Sequence, residues 1–432
     1  MDNHELILPG TAPVQSAQKA QPWVLLTSYL IGYAYIRLVM FRGEPWAERF
    51  GFAAFFLLFF GWAALALKNK PFTPVMRKET AFWLSCAGVI LCAVTAHPAS
   101  DEIGLLAGLF VHCTAAYWVL CRAGVLAEGH TGPFFIWDAF EALLLTPLSG
   151  LLHRAGALLR FARAPGRRKV DGKAIGSSIL LLCIVLPLAV IALDLLTQAD
   201  TGFAALWDDL TVNLWTMPHW MVDGIIYIVL SLPVGAYLYA LVQDSALREA
   251  PQLDAAAARQ KLEHLRFAPR LTLTFVLGAF CAVYCLFFYV QAGYLFGAFV
   301  GRLPQGFTYA EYARQGFFQL CAIIALNFVL LLLAAKAGRG TLRSHKPLKA
   351  AALVLMAQGL LFAATALAKL LLYIGAYGFT TLRLLSFWGI AVLAAGSALA
   401  IATILKPRPA VRPLIFFSAA TFTALCAAWA VL

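Results

Sequence analysis

The sequence predicts an all-α, polytopic integral membrane protein of about eleven transmembrane helices, with the N-terminus cytoplasmic and the C-terminus extracytoplasmic. Three observations predict it. Of the 432 residues, 62% are hydrophobic and 12% charged, whereas soluble domains run at about 25% charged. No soluble core could hide that much apolar surface, so lipid must serve as its solvent. The apolar residues fall into runs of spanning length, about 20 residues each. Lys and Arg alternate between the gaps: four from Lys68 to Lys78, none from His97 to Glu102, eight from Arg122 to Lys173, and none from Gln198 to Pro218. Basic residues near span ends stay in the cytoplasm, so the alternation orients every span.

The predicted spans are Pro22–Met40, Phe50–Leu67, Thr80–Ala96, Ile103–Cys121, Ala174–Leu196, Met221–Val242, Leu271–Val300, Gly316–Ala335, Lys349–Ala376, Leu382–Leu405 and Pro413–Leu432. Arg42 and Arg49 in the first outer loop dissent, and the inner loops outweigh them. The first 21 residues are polar, with Lys19 the one basic residue. The first apolar run then reaches spanning length, so the start does not read as a cleavable signal.

Three pieces do not span. Phe134 to Arg163 carries an apolar face that ends in Arg154, Arg160 and Arg163, as expected of a helix on the cytoplasmic membrane surface, with Pro147 breaking or kinking it. Ser245 to Arg266 reads as a soluble cytoplasmic helix of mixed charge. Thr201 to Trp215 reads as a short acidic, aromatic helix on the outer face, anchored by Trp207 and Trp215. The expected organisation is a four-span bundle over residues 1–127, an interfacial segment over 128–173, and a seven-span domain over 174–432.

The net charge of +12 is the positive-inside signature against an anionic leaflet, with no call for nucleic acid. Nine cysteines lie in or beside apolar runs without a CxxC pair, and read as small buried hydrophobes. His219 and Asp223 stand four apart but lack a second His at ligand spacing, so neither a metal nor another cofactor is expected. His112, alone in a span, reads as a hydrogen-bonded core residue. Arg37 lies near the outer end of the first span and can snorkel.

Two clusters could carry chemistry. In Thr308-Tyr309-Ala310-Glu311-Tyr312-Ala313-Arg314, Thr308 and Glu311 have the spacing of a capping box. Arg314 falls at the start of a helix, where the dipole disfavours a cation by about 0.3–1 kcal/mol. Farther on, Lys369, Tyr373 and Tyr377 share one helix face. Gly378 suggests a turn and Thr380 an N-cap, which puts Arg383 at another unfavourable helix start. Arg314, Lys369 and Arg383, with Tyr309, Tyr373 and Tyr377 among them, therefore predict an anion at the outer helix ends. The protein itself offers Glu311, Asp194, Asp208, Asp209 and Asp223 as charge partners, and an ion network holding the bundle together accounts for the same pattern. The alternative is an outward-facing cavity for an anionic headgroup, phosphate or carboxylate.

Three runs, Tyr289-Val290-Gln291-Ala292-Gly293-Tyr294-Leu295-Phe296-Gly297, Thr308 to Phe317, and Leu372 to Thr380 with Arg383, resemble a family of bacterial multi-pass membrane proteins known as domain of unknown function 4153, with 4173 a close relative. The resemblance covers about the last 160 residues and implies a bacterial cytoplasmic (inner) membrane. It implies no activity.

Three function classes follow. The favoured one is a transporter or lipid-handling protein with an outward-facing site for an anionic lipid or small anionic solute. An enzyme acting on a lipid-linked substrate would need Glu311, Asp208, Asp209 or His219 as base, and their loose spacing argues against it. A signalling or assembly subunit would present Ser245–Arg266 to a protein partner.

Overall fold

The computed structural model describes residues 21–97, 102–162, 185, 188–189, 192–212, 219–264, 266–293, 297–300, 306, 308–314 and 316–431. Its elements are α1 (Pro22–Tyr35), α2 (Phe52–Ala66), α3 (Pro74–Ala96), α4 (Glu102–Ala123), α5 (Phe135–Phe140), α6 (Thr146–Ala162), α7 (Thr201–Val212), α8 (His219–Leu247), α9 (Ala255–His264), α10 (Arg270–Val290), α11 (Tyr309–Arg314), α12 (Phe317–Ala337), α13 (Lys346–Tyr377), α14 (Thr381–Leu405) and α15 (Val411–Trp429). Among the described residues the one β feature is an isolated bridge between Ala268 and Gly338.

Among the described residues, ten helical segments are long and apolar enough to cross a membrane. They coincide with ten of the eleven predicted spans to within six residues at either end, with two exceptions. The span predicted over Leu271–Val300 ends as a helix at Val290, and Gly297–Val300 is a separate 3₁₀ turn. Tyr309–Ala337 begins before the predicted Gly316. The remaining predicted span, Ala174–Leu196, falls largely outside the described residues.

The chain forms two compact units, both discontinuous in sequence. Unit 1 comprises residues 1–41, 58–69 and 144–249; unit 2 comprises 42–57, 70–143 and 250–432.

In unit 1, α8 packs against both α1 and α6. The α1–α8 crossing is close because Gly32 and Gly235 face one another; a Cβ on Gly32 would come within 2.6 Å of the Ser231 carbonyl. Small residues are how membrane helices gain contact when both sides are equally apolar. Arg154 of α6 is buried rather than turned to water. Its Nη1 donates to the Leu232 carbonyl at 2.8 Å, and the guanidinium lies 3.5 Å from the Tyr29 ring centroid. Pro147 sits at the second position of α6, after a π turn over Glu141–Leu145. Proline lacks a donor and crowds the preceding carbonyls, and the wider turn relieves this.

In unit 2, α13 is the central helix, with α10, α11, α12 and α14 packed on it, while α15 packs on α3 and α14. The core around Tyr284, Leu355 and Phe362 is apolar but holds a polar tie. Tyr284 donates to Asn327 at 3.0 Å, and Gln358 donates to the Cys281 carbonyl at 3.0 Å. Such side-chain bonds between membrane helices contribute about 0.6–2 kcal/mol. His112 hydrogen-bonds the Gly108 carbonyl at 2.7 Å and packs on Phe52 and Phe56, as its lone position suggested.

The loops that the charge count groups together also meet. At the basic end of unit 2, Ala268 pairs with the end of α12, and Arg343 donates to carbonyls of Thr403 and Lys406. At the opposite end, Thr381 donates to Glu102 at 3.0 Å and Arg49 to the Thr95 carbonyl at 3.3 Å.

Candidate functional site

Two of the three predicted outer cations, Arg383 and Lys369, lie against the protein's own groups. Gly378 ends α13 with φ +76, a left-handed turn that favours glycine. The chain then reverses into α14, and Arg383 in its first turns swings back over the end of α13. Its Nη1 donates to the carbonyls of Tyr377 and Gly378, and its guanidinium lies 3.9 Å from the Tyr373 ring centroid. Arg383 thus sits at the favourable negative end of α13, and the expected cost at the start of α14 is offset. Tyr373 and Tyr377 pack edge to face. Thr380 holds the N-cap position but makes no side-chain cap bond.

Lys369 is buried, with Nζ 4.4 Å from the ring centroid of buried Tyr312. Tyr312 belongs to α11, which the capping box starts: Glu311 accepts from the Thr308 amide at 3.0 Å and the Thr308 hydroxyl at 2.8 Å, while the Glu311 amide donates to that hydroxyl. Gly316, at φ +78, then separates α11 from α12. Tyr309 and Arg314 are exposed. Neither Arg314 nor Arg383 forms an ion pair among the described residues. Asp223 and Asp194 are exposed residues of unit 1. Asp208 and Asp209 lie on α7, and their side chains fall outside what the structure describes.

A second polar cluster, at the basic end of unit 2, escaped the sequence analysis. Thr73 caps α3 by accepting from the Met76 amide, and Glu79 follows in the second turn, 2% exposed. Glu79 accepts from the Thr131 amide at 2.9 Å, the Thr131 hydroxyl at 3.0 Å and Arg412 Nη2 at 2.6 Å. Tyr117 donates to the Thr131 hydroxyl at 3.0 Å. Arg412, in the first turn of α15, meets the same unfavourable dipole as Arg383, but a buried carboxylate answers it.

The segment from Gly124 to Pro133 wraps around this pair, turning at Gly124 and Gly129 with φ of +75 and +69. Its second anchor is Asp138 of α5, which accepts from the Ala127 amide at 2.9 Å. Burial raises the Asp138 carboxyl to about 6, the amide bond acts in the other direction, and the nearby Glu141 and Glu128 add to the rise. Glu128 forms an ion pair with Arg259 of α9, and His130 Nδ1 hydrogen-bonds the Glu128 carbonyl at 2.8 Å. A Cβ on Gly132 would collide with the Glu128 carboxylate. Together Glu128, His130, Thr131, Arg259, Ala410 and Arg412 line a cavity of about 590 Å³.

The sequence offered a weak signal for this site. Glu79 follows Arg77 and Lys78, and Arg412 follows Lys406 and Arg408, so both looked like loop charges of the positive-inside pattern. Their partnership spans 333 positions.

The chain belongs to the family described as Domain of unknown function (DUF4153), whose model matches residues 85–431. The match reaches well upstream of the motifs that carried the resemblance. It includes Glu128, Thr131, Asp138, Arg259 and Arg412, and begins just after Glu79. No curated protein and no solved structure matches.

Proposed function

We propose that this integral membrane protein is a transporter or lipid-handling protein of a bacterial cytoplasmic membrane, its basic end inside. It takes an anionic group, phosphate or carboxylate, into the cavity between Arg259 and Arg412. The observation that carries this is that two arginines, each paired with a carboxylate, line one cavity. Each guanidinium is balanced by its own carboxylate. Arg412 and Arg259 keep 40% and 62% of their side chains exposed, so an arriving anion can take up a guanidinium donor from Glu79 or Glu128. Glu79 stays satisfied during that exchange because Thr131 supplies two further donors. A buried carboxylate without such donors would carry several kcal/mol of desolvation cost.

The test is thermal unfolding of the full-length protein in detergent with inorganic phosphate or citrate, against chloride at equal ionic strength. Wild type gains a saturable rise in Tm with the multivalent anions, Arg259→Gln gains less, and the Glu79→Gln/Arg412→Gln double variant gains none. Equal protection of the double variant removes the cavity from the function.

A second reading keeps the anion at the other end of unit 2, at Arg314, Lys369 and Arg383 with Tyr309, Tyr373 and Tyr377. The exposure of Arg314, without an ion pair among the described residues, favours it. Loss of anion protection in Arg314→Gln, with the cavity intact, would move the site there.

A further inference from the structure

We infer that unit 2 also carries a binding site for an anionic phospholipid: an apolar slot for one acyl chain between α12, α14 and α15, with Arg266 and Arg343 at its mouth for the phosphate. The slot, about 460 Å³, is lined by Phe328, Leu331, Ala335, Leu399, Ile404 and Leu414 along its length. That volume falls among those of small-molecule sites, about 300–1,000 Å³. Small residues are part of its wall. Ala335, Gly396, Ala400 and Ala410 all border it, and a Cβ on Gly396 would come within 2.9 Å of the Phe328 ring. Three membrane-spanning helices form the walls, so water does not fill the slot and a hydrocarbon chain does.

The mouth specifies the headgroup. Arg343 is fixed there by donation from Nε and Nη2 to the Thr403 carbonyl at 3.0 and 2.5 Å, and among the described residues Nη1 donates to no protein group. Arg266 is exposed at the same mouth, with Glu263 at 3.7 Å as its acidic neighbour. Arg270 stands behind them, donating to the Arg339 carbonyl and leaning on Gly340, which borders the slot. A basic pocket between membrane helices is the arrangement that recognises anionic headgroups. The site shares only Ala410 and Val411 with the polar cavity, and it stands whether or not that cavity binds anions.

The test is native mass spectrometry of the full-length protein in detergent, titrated with dioleoyl phosphatidylglycerol or dioleoyl phosphatidylcholine. Wild type should favour phosphatidylglycerol by about fivefold for each arginine engaged. Arg266→Gln, at an exposed position, should cut that preference about fivefold and leave phosphatidylcholine binding unchanged. Ala335→Trp, which fills the slot, should weaken both lipids about tenfold. Inorganic phosphate should displace neither lipid. Equal binding of the two lipids by wild type, an unchanged preference in Arg266→Gln, or displacement by inorganic phosphate would each overturn the proposal. If Ala335→Trp does not accumulate, Arg266→Gln decides alone.

Discussion

Arg383 and Arg412 pose the same problem at opposite ends of unit 2, and the fold answers it in two ways. Each opens a membrane helix, where a cation meets the positive end of the dipole. Arg383 turns back onto the carbonyls that end α13 and onto the face of Tyr373. Arg412 turns to a buried carboxylate, Glu79, which itself holds Thr131. The first solution is local, made by residues within ten positions of one another, and uses backbone groups that any helix end leaves unsatisfied. The second joins three distant segments and borders a cavity. A cation at an unusual position is therefore weak evidence of a ligand until its partner is known. An arginine capped by carbonyls has a structural use, whereas one paired with a carboxylate beside open volume can exchange that partner.

Substitutions can break or sharpen this contrast. Removing the buried partner should have the largest effect. Glu79→Ala leaves the Thr131 donors and Arg412 without their acceptor and should cost about 3 kcal/mol, at the lower end for a buried pair because Arg412 is half-exposed. Unfolding in detergent measures it, and a Glu79→Ala/Arg412→Ala cycle should show that the two losses overlap strongly. Additive losses would show that the pair does not act as a unit.

At the other end, Lys369 and Tyr312 should couple by about 2 kcal/mol in a cycle of Lys369→Met and Tyr312→Leu, since the cation–π contact is desolvated. A coupling near zero would leave Lys369 without the local use assigned to it here. Arg383→Ala should cost about 1 kcal/mol, the net value of an exposed charge-assisted cap. Arg383→Lys should lose nearly as much if the forked donor matters, and little if only charge does.

The smallest effect is one of pH. The Asp138 carboxyl titrates near 6 when folded, above the usual carboxylate range. The folded state therefore binds this proton more tightly than the unfolded state, and the contribution weakens as pH rises through 6. The Tm lost by Asp138→Asn should be greater at pH 5 than at pH 7.5. A pH-independent difference would place Asp138 outside that linkage.

What could be read from the sequence followed from local rules. The spans near Met221, Lys346 and Thr381 needed only run length and hydropathy, because lipid forces each crossing segment to satisfy its own backbone. The capping box at Thr308 and Glu311 was legible from spacing, since both partners lie within one turn. Gly378 declared its turn for a similar reason. The interpretation of Arg383 was incomplete, because the carbonyls it meets become available only when α14 folds back beside α13.

The sequence by itself determined that this is a helical membrane protein, where most of its spans lie, and which loops share an end. Those properties depend on solvent and on neighbours a few positions away. Only the tertiary structure decided that Glu79 belongs with Thr131 and Arg412, that Lys369 lies against Tyr312, and that Arg154 is buried. A charge in a low-dielectric interior must find a partner by packing, and packing brings together residues that sequence spacing does not connect.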